Sequence, residues 1–262
     1  MTILEKILAE KKVEVERLTA MNEVTFPFHH TRPSLFNTLY GGNHLRIIAE
    51  MKRASPSKGL IQEGANPVEQ ALAYFNAGAA CISVLTDHSF FKGSFEDLKA
   101  VANVVPIPLL CKDFIIHPLQ IDQARQAGAS VILLIVAALK DETLAELYTY
   151  AEASGLEILV EVHDGAELQR ALALDAKLIG VNNRDLRTFD VDMKKTEEIA
   201  TLFPFHEKRV LISESGITDR EDAKRAAKTG ASAILVGEML MKSGDIADSI
   251  RSLQVDLTGV IP

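Results

Sequence analysis

The sequence predicts an α/β fold, a single (β/α)8 TIM barrel with an N-terminal helical extension. First, eight short apolar runs, many of them β-branched, recur along the 262 residues, and their starts lie roughly 20 to 35 residues apart, as in βα units. Second, the segments between these runs carry helix start and stop signals in the right order. An open doubly wound sheet is the alternative, but it usually has fewer strands, and no glycine-rich dinucleotide loop follows the first run.

The predicted strands cover residues 46–51, 80–85, 107–111, 131–136, 157–162, 178–181, 209–212 and 231–236. The clearest predicted helices cover residues 67–77, 119–126, 141–154 and 219–228. A glycine follows each of these helices within two residues, at Gly78, Gly128, Gly155 and Gly230, which is typical of a helix C-terminus. Because eight such units close a parallel sheet on itself, we expect a barrel.

The first 45 residues precede the barrel, and we expect one domain over residues 1–262, with the extension at 1–45 and the barrel at 46–255. A helical stripe runs through the extension at Ile3, Leu4, Ile7, Leu8, Val15 and Leu18. Such a helix either plugs the bottom of the barrel or lies over its mouth, and the sequence leaves both open. Lys11 and Lys12 alternate with glutamates, so we expect them on a solvated helix face.

Composition limits the partners. The net charge is -8, which argues against nucleic acid or an anionic membrane surface as the main partner. The longest apolar run, 131–139, is about half the ~18 residues of a membrane span. Cys81 and Cys111 lack metal-ligand spacing, as do the seven histidines, so we expect no metal site and a reduced, cytoplasmic protein. No obligate protein partner is evident.

Charged and amide side chains stand at the carboxyl ends of the predicted strands, where barrel enzymes keep their chemistry. They are Glu50, Lys52, Lys112, Glu161, Asn182 and Glu214. Burying three carboxylates and two lysines in one mouth is costly unless the charges pair or react. A structural ion-pair network is the alternative for each residue alone, whereas six residues at the same end favour a functional site.

A phosphate site is predicted after the last two strands. Ser215 and Gly216 follow the seventh strand, and Gly237 follows the eighth. Loops at these positions of a barrel often bind phosphate through backbone N–H groups, and glycine lets the backbone approach closely. Glu238 follows directly, and we expect its side chain to point away from a phosphate. Asp87 and His88, after the second strand, either line the mouth or lie in a solvated loop.

Six ordered motifs give the chain a family resemblance. They are IAEMKRASPSKG at 48–59, LCKDF at 110–114, LVEVH at 159–163, GVNNRDL at 180–186, SESGI at 213–217 and VGE at 236–238. Together they resemble the indole-3-glycerol phosphate synthases of tryptophan biosynthesis, over nearly the whole chain. The resemblance implies ring closure of 1-(2-carboxyphenylamino)-1-deoxyribulose 5-phosphate with loss of CO2 and water. It implies no metal, pyridoxal phosphate or redox cofactor, because loss of CO2 restores aromaticity.

The resemblance also implies residue roles. Lys112 is implied to be the general acid of ring closure, with a pKa brought toward the working range by burial and neighbours. Glu161 is implied to handle a proton in the dehydration, Glu50 to be a further catalytic carboxylate, and Lys52 to lie near the phosphate and the reacting centre. The implied substrate-binding residues are Ser55, Asn182, Arg184, Glu214, Ser215, Gly216 and Gly237.

Three other functions stay open on the sequence. A sugar-phosphate isomerase barrel shares the phosphate site but does not need this set of lysines and glutamates. A catalytically inactive barrel binds a phosphorylated ligand without turnover, although such proteins usually lose their charged mouth residues. A class I aldolase uses a Schiff-base lysine at a strand end, the position that Lys112 occupies.

Overall fold

The computed structural model describes residues 2–21, 31–56, 58–62 and 64–258, and its centre is a closed barrel of parallel strands. The barrel strands are β1 Arg46–Met51, β2 Cys81–Leu85, β3 Leu109–Lys112, β4 Val131–Ile135, β5 Glu157–Val162, β6 Leu178–Asn182, β7 Val210–Glu214 and β8 Ala233–Val236. Each strand pairs with the next, and β8 closes the ring on β1, where Arg46 lies opposite Ala233. The predicted (β/α)8 barrel is confirmed.

The strand ends explain how the site is positioned. The strands β3, β6 and β7 run further than predicted at their carboxyl ends, so Lys112, Asn182 and Glu214 are the last residues of paired strands. Asn182 pairs in register with Glu214 across β6 and β7. Side chains at a strand end are held by the sheet itself, which fixes their positions better than a loop does.

Helices surround the barrel and fill its two ends. They are α1 Ile3–Met21, α2 Leu35–Leu39, α3 Pro67–Asn76, α4 His88–Phe91, α5 Phe95–Ala102, α6 Pro118–Gln126, α7 Asp141–Ala153, α8 Gly165–Ala173, α9 Lys194–Ala200, α10 Arg220–Lys228, α11 Glu238–Met241 and α12 Ile246–Leu253. A short antiparallel hairpin, Ala54–Ser55 with Gly59–Leu60, follows β1. Among the described residues, no helix combines the length and apolarity that a membrane span requires.

Local signals fix the helix ends. The side chain of Asn66 accepts hydrogen bonds from the first backbone N–H groups of α3, and Asp219 does the same for α10. After α3 the chain turns through Gly78 with φ of 91°, a conformation that glycine adopts without steric cost. The predicted helices at these places are therefore present, with bounds that differ by one residue at an end.

The core has two layers, one between sheet and helices and one inside the barrel. Along β1, Ile47 and Ala49 face the helices, while Ile48 faces the barrel axis. Leu35 and Leu39 of α2 are buried against the inner layer. Glu157, the first residue of β5, accepts hydrogen bonds from the start of α2, so α2 closes the amino-terminal end of the barrel.

The helix α1 confirms the predicted apolar stripe and lies at the opposite end, over the mouth, where Ile3, Leu4 and Ile7 line the cavity. The prediction for Lys11 is wrong: its side chain is 1% exposed, whereas Lys12 is exposed. Charge alternation along the helix could not reveal this burial, because most of the partners of Lys11 lie on distant elements.

Three carboxylates bind the buried Lys11. Its Nζ lies 2.7 Å from Asp113, 2.8 Å from Glu14 and 3.2 Å from Asp87. Asp87 is therefore neither a solvated residue nor part of the cavity lining, while His88 beside it is exposed. This four-residue network, which we call the Lys11 network, fastens α1 to the segments that follow β2 and β3.

Candidate active site

The mouth of the barrel contains a cavity of about 920 Å³ at the carboxyl ends of the strands. Every candidate residue from the sequence lines it: Glu50, Lys52, Ser55, Lys112, Glu161, Asn182, Arg184, Glu214, Ser215, Gly216 and Gly237. The barrel thus brings together residues that are spread over almost 190 positions of the chain (237 − 50 = 187). Apolar side chains from α1 and the rings of Phe91 and Phe114 complete the wall.

Lys112 is the centre of the charged cluster. Its Nζ lies 3.2 Å from a carboxylate oxygen of Glu161 and 3.2 Å from one of Glu214. The other oxygen of Glu161 accepts a hydrogen bond of 3.1 Å from the amide of Asn182. The lysine keeps 14% of its side chain exposed, whereas the two carboxylates are almost fully buried. The ammonium group is the part of this cluster that a ligand in the cavity reaches.

A second pair stands at the end of β1. Glu50 and Lys52 are two residues apart, and the carboxylate of Glu50 lies 2.6 Å from the Lys52 ammonium. The glutamate is buried and the lysine is 21% exposed toward the cavity. The Lys52 ammonium therefore borders the cavity, and its ion pair with Glu50 holds it there.

The electrostatics of the cluster keep Lys112 charged. Burial alone would lower its pKa, but Glu214, Glu161 and Glu50 raise it above the ordinary value for lysine. The expectation that burial and neighbours bring this pKa toward the working range is therefore wrong. Three nearby carboxylates outweigh the desolvation of one ammonium group, so Lys112 carries its proton at neutral pH.

The three carboxyls differ from one another. Burial alone would raise the pKa of each, but Lys52 and Lys112 lower that of Glu50, and Lys112 and His163 lower that of Glu161. Burial and the repulsion from Glu161 together raise the pKa of Glu214 to about 7, although Lys112 opposes them. The site therefore holds two ionised carboxylates beside one carboxyl that is partly protonated at neutral pH.

A glycine makes room for Glu214. A Cβ atom at Gly180 on the neighbouring strand would lie only 2.0 Å from a carboxylate oxygen of Glu214. Sequence inspection did not single out Gly180, because a glycine within a strand has no meaning for the site until its neighbour across the sheet is known. The triangle of Lys112, Glu161 and Glu214 depends on this missing side chain.

The predicted phosphate loops adopt unusual backbone conformations. Ser215 and Gly216 have φ of 65° and 88°, and a non-glycine residue at such φ indicates a constrained turn. Gly237 packs against Glu50, since an added Cβ would come within 2.5 Å of its carboxylate. Both loops therefore approach the cavity closely, as a backbone phosphate site requires.

Lysines surround the same end of the cavity. Lys58 and Lys242 belong to its lining together with Lys52 and Glu238. The Glu238 carboxylate lies 2.7 Å from the Lys242 ammonium and 3.9 Å from that of Lys58. Two lysines of the lining thus offset its charge, and the orientation of its side chain away from a phosphate stays a prediction.

Arg184 and Ser55 line the cavity from the segments that follow β6 and β1. The backbone N–H of Arg184 donates to the side-chain oxygen of Asn182, and its guanidinium donates to the carbonyl of Phe189. These bonds fix the loop after β6, with Arg184 half-buried at the cavity wall. Ser55 is buried in the hairpin that follows β1.

Known proteins of similar sequence identify the family of this chain. The family profile of indole-3-glycerol phosphate synthase matches residues 4–253. The chain belongs to this family. Members named indole-3-glycerol phosphate synthase from Oceanobacillus iheyensis and from Listeria monocytogenes serotype 4a are each 49% identical, over 98% and 97% of this chain and 98% and 99% of theirs.

Solved structures with lower sequence identity share the fold of this synthase family. The structure of 3-hexulose-6-phosphate synthase matches with a TM-score of 0.61 at 16% identity, over 83% of this chain and 100% of that one. Thiamine phosphate pyrophosphorylase from Pyrococcus furiosus matches with a TM-score of 0.59 at 18% identity, over 87% and 97%. At these identities the likeness establishes the barrel alone.

Proposed function

We propose that the protein acts as an indole-3-glycerol phosphate synthase, which closes the ring of 1-(2-carboxyphenylamino)-1-deoxyribulose 5-phosphate with loss of CO2 and water. The observation that carries the proposal is the position of Lys112, whose Nζ lies 3.2 Å from the carboxylates of both Glu161 and Glu214 in the barrel mouth. Family membership supports the same activity. A phosphorylated small molecule is thus the proposed partner.

In the proposed mechanism, Lys112 protonates the ketone oxygen as the aromatic ring carbon attacks the ketone carbon. The oxygen becomes far more basic during this attack, so even a lysine with a raised pKa donates its proton in the transition state. The adjacent carboxylates stabilise the charged lysine beforehand and hold its Nζ in place. Lys52, fixed by Glu50, stabilises negative charge at the same centre.

Decarboxylation and dehydration follow. Loss of CO2 restores the aromatic ring, so the substrate supplies the driving force and the site mainly holds the reacting geometry. Glu161 then moves a proton during loss of water. Asn182, Arg184 and Ser55 bind the substrate around the reacting centre, and Glu214 holds Lys112.

The proposed phosphate site is formed by the segments that follow β7 and β8. Ser215, Gly216 and Gly237 bind the phosphate through close backbone approach, assisted by the lysines of the lining. We also propose that the protein works in the cytoplasm, supported by the free thiols of Cys81 and Cys111, both of which are buried.

Turnover of the synthetic substrate, followed by the rise of indole fluorescence, tests the function. We expect Lys112→Ala to lose activity by about 10²- to 10⁴-fold, and Lys112→Arg to lose it as well, because arginine keeps the charge but is a poor acid. Lys224→Ala, at an exposed lysine on α10, is the matched control and should keep full activity. A folded wild type without turnover would refute the proposal.

The alternatives have their own readouts in the same preparation. Borohydride with a ketose phosphate traps a Schiff base at Lys112 if the protein is an aldolase, and we expect no adduct. Turnover of an aldose–ketose substrate would indicate an isomerase. Binding of the synthase substrate without product would indicate an inactive barrel.

A further inference from the structure

A histidine adjoins Glu161 without belonging to the described lining of the cavity. His163 follows β5 by one residue, and it is not among the described residues that line the cavity. Its Nε2 lies 3.5 Å from the Glu161 oxygen that Asn182 binds, and its Nδ1 lies 3.0 Å from the carboxylate of Glu167 on α8. Glu167, His163 and Glu161 thus form a continuous chain of titratable groups that ends at Lys112.

Burial along this chain increases toward the site. The exposed fraction of the side chain falls from 16% at Glu167 to 11% at His163 and 2% at Glu161. The backbone N–H of His163 donates to the same Glu167 carboxylate, which fixes the ring from one side. Within the described part of the chain, the buried Nε2 has no hydrogen-bond partner, and it faces Glu161 just beyond hydrogen-bond distance. The Nε2 atom of His163 therefore points toward Glu161, the group that connects this histidine to Lys112.

Proton counting shows what such a chain is needed for. Ring closure adds one proton to the ketone oxygen, and dehydration adds a second when that oxygen leaves as water. One proton is recovered from the carbon next to the nitrogen when the new double bond forms. The carboxylate leaves as neutral CO2, and its bonding electrons return to the ring. Each turnover therefore takes one proton from the solvent into the buried cluster.

We propose that His163 is the proton-relay residue that reloads the Lys112 cluster through Glu161, an inference that rests on the proposed synthase function. The imidazolium gives its Nε2 proton to Glu161, breaking an N–H bond and forming an O–H bond. Glu161 passes a proton to the neutral Lys112 amine. The neutral ring keeps its proton on Nδ1, and a half-turn flip of the ring turns the bare nitrogen toward Glu167, where a solvent proton restores the imidazolium. A substrate in the cavity would cover Lys112, whereas this route enters at Glu167, which keeps 16% of its side chain exposed and is not in the described cavity lining.

The charges around His163 suit a ring that carries a proton. Burial alone would lower its pKa, but the hydrogen bond to Glu167 and the charges of Glu161 and Glu167 raise it. Lys195 on α9 is the nearby cation and opposes them. Two carboxylates against one lysine favour the imidazolium, the form that has a proton to pass on.

Comparison of first and later turnovers tests the relay. His163→Gln keeps an amide that hydrogen-bonds Glu161 but cannot carry a proton. With enzyme in excess, we expect its single-turnover rate within about twofold of wild type, because the first proton is already on Lys112. With substrate in excess, we expect kcat to fall about tenfold at unchanged KM, and added imidazole to restore it. His206→Gln, at an exposed histidine, is the matched control.

The outcomes separate the possibilities. A His163→Gln protein whose first turnover slows as much as its steady state would mean that His163 only positions Glu161, and unchanged steady-state turnover would overturn any role. Failure of the proposed function is distinct, because the wild type would then show no turnover. NMR titration tests the ring independently of turnover. We expect a His163 pKa above about 6.5 that falls in Glu167→Gln, and a lower wild-type value overturns the relay.

Discussion

Replacing Lys11 by methionine tests the fastening of α1 to the barrel. The substitution keeps the length of the side chain but leaves Asp87 and Asp113 buried without a cation. Breaking a buried ion pair on one side costs about 3 to 5 kcal/mol. Asp113 keeps its hydrogen bonds from Thr86 and Phe114, and Asp87 keeps that from Phe90, so we expect a loss near the lower end, about 3 kcal/mol.

The lost contact with Glu14, the third partner of Lys11, adds little to this loss of folding free energy. Glu14 is 34% exposed, and a salt bridge to an exposed carboxylate is worth at most about 1 kcal/mol. For a domain of this size, a loss of about 3 kcal/mol lowers Tm by roughly 6 to 12 °C. Urea unfolding and thermal melting measure the two quantities independently. Because Ile3, Leu4 and Ile7 line the cavity, we also expect a higher KM for the substrate.

Two further variants make the Lys11 experiment decisive. Lys12→Met changes the exposed neighbour and should leave stability within about 0.5 kcal/mol of wild type. Lys11→Met combined with Asp113→Asn removes one of the stranded charges and should recover part of the loss. Equal stability of the Lys11 and Lys12 single variants would refute the argument that the Lys11 network holds α1 in place.

Two other predictions concern the cavity itself. The pKa of the Glu214 carboxyl is about 7 in the folded protein, against 4.5 in the unfolded chain. The protonated carboxyl therefore contributes its full stabilisation below pH 4.5, and this contribution is lost as the pH rises to about 7. We therefore expect Glu214→Gln to raise Tm above that of the wild type, and to raise it more at about pH 8 than at about pH 5. A Tm difference that does not change with pH would contradict this. Gly237→Ala should displace Glu50, which its Cβ would meet at 2.5 Å, and lower kcat by up to about 10²-fold. Gly244→Ala, where a Cβ meets nothing within 4 Å, is the control, and equal kcat in the two alanine variants contradicts the prediction.

Local pattern was sufficient to predict the barrel and the set of polar residues that line its mouth. The strands are short apolar runs, and the residues at their carboxyl ends share one end of any parallel barrel, so Lys112 and Glu214 could be placed together without knowing a distance. The predicted strands end too early where the last residue of the strand is charged or carries an amide. A polar residue suggests the start of a loop, although the backbone there still pairs with its neighbour. Asn182 is an example.

What the sequence could not supply are relations between distant positions. The burial of Lys11 depends on carboxylates 76 and 102 residues further along the chain (87 − 11 and 113 − 11). The need for glycine at position 180 depends on a glutamate of the next strand. The direction of the pKa shift of Lys112 depends on a balance between burial and three carboxylates, which residue types alone do not determine.

The pairing of β1 with β8 has a consequence for the nascent chain. The strand at Arg46–Met51 leaves the ribosome long before Ala233–Val236 is made, and at synthesis rates of about 5 to 20 residues per second the interval is roughly 10 to 40 s. During that time one edge of β1 has no strand to bond, and an open edge of this kind attracts other chains. Final assembly of the ring, with Glu50 in its first strand and Lys52 directly after it, is thus a late event of synthesis.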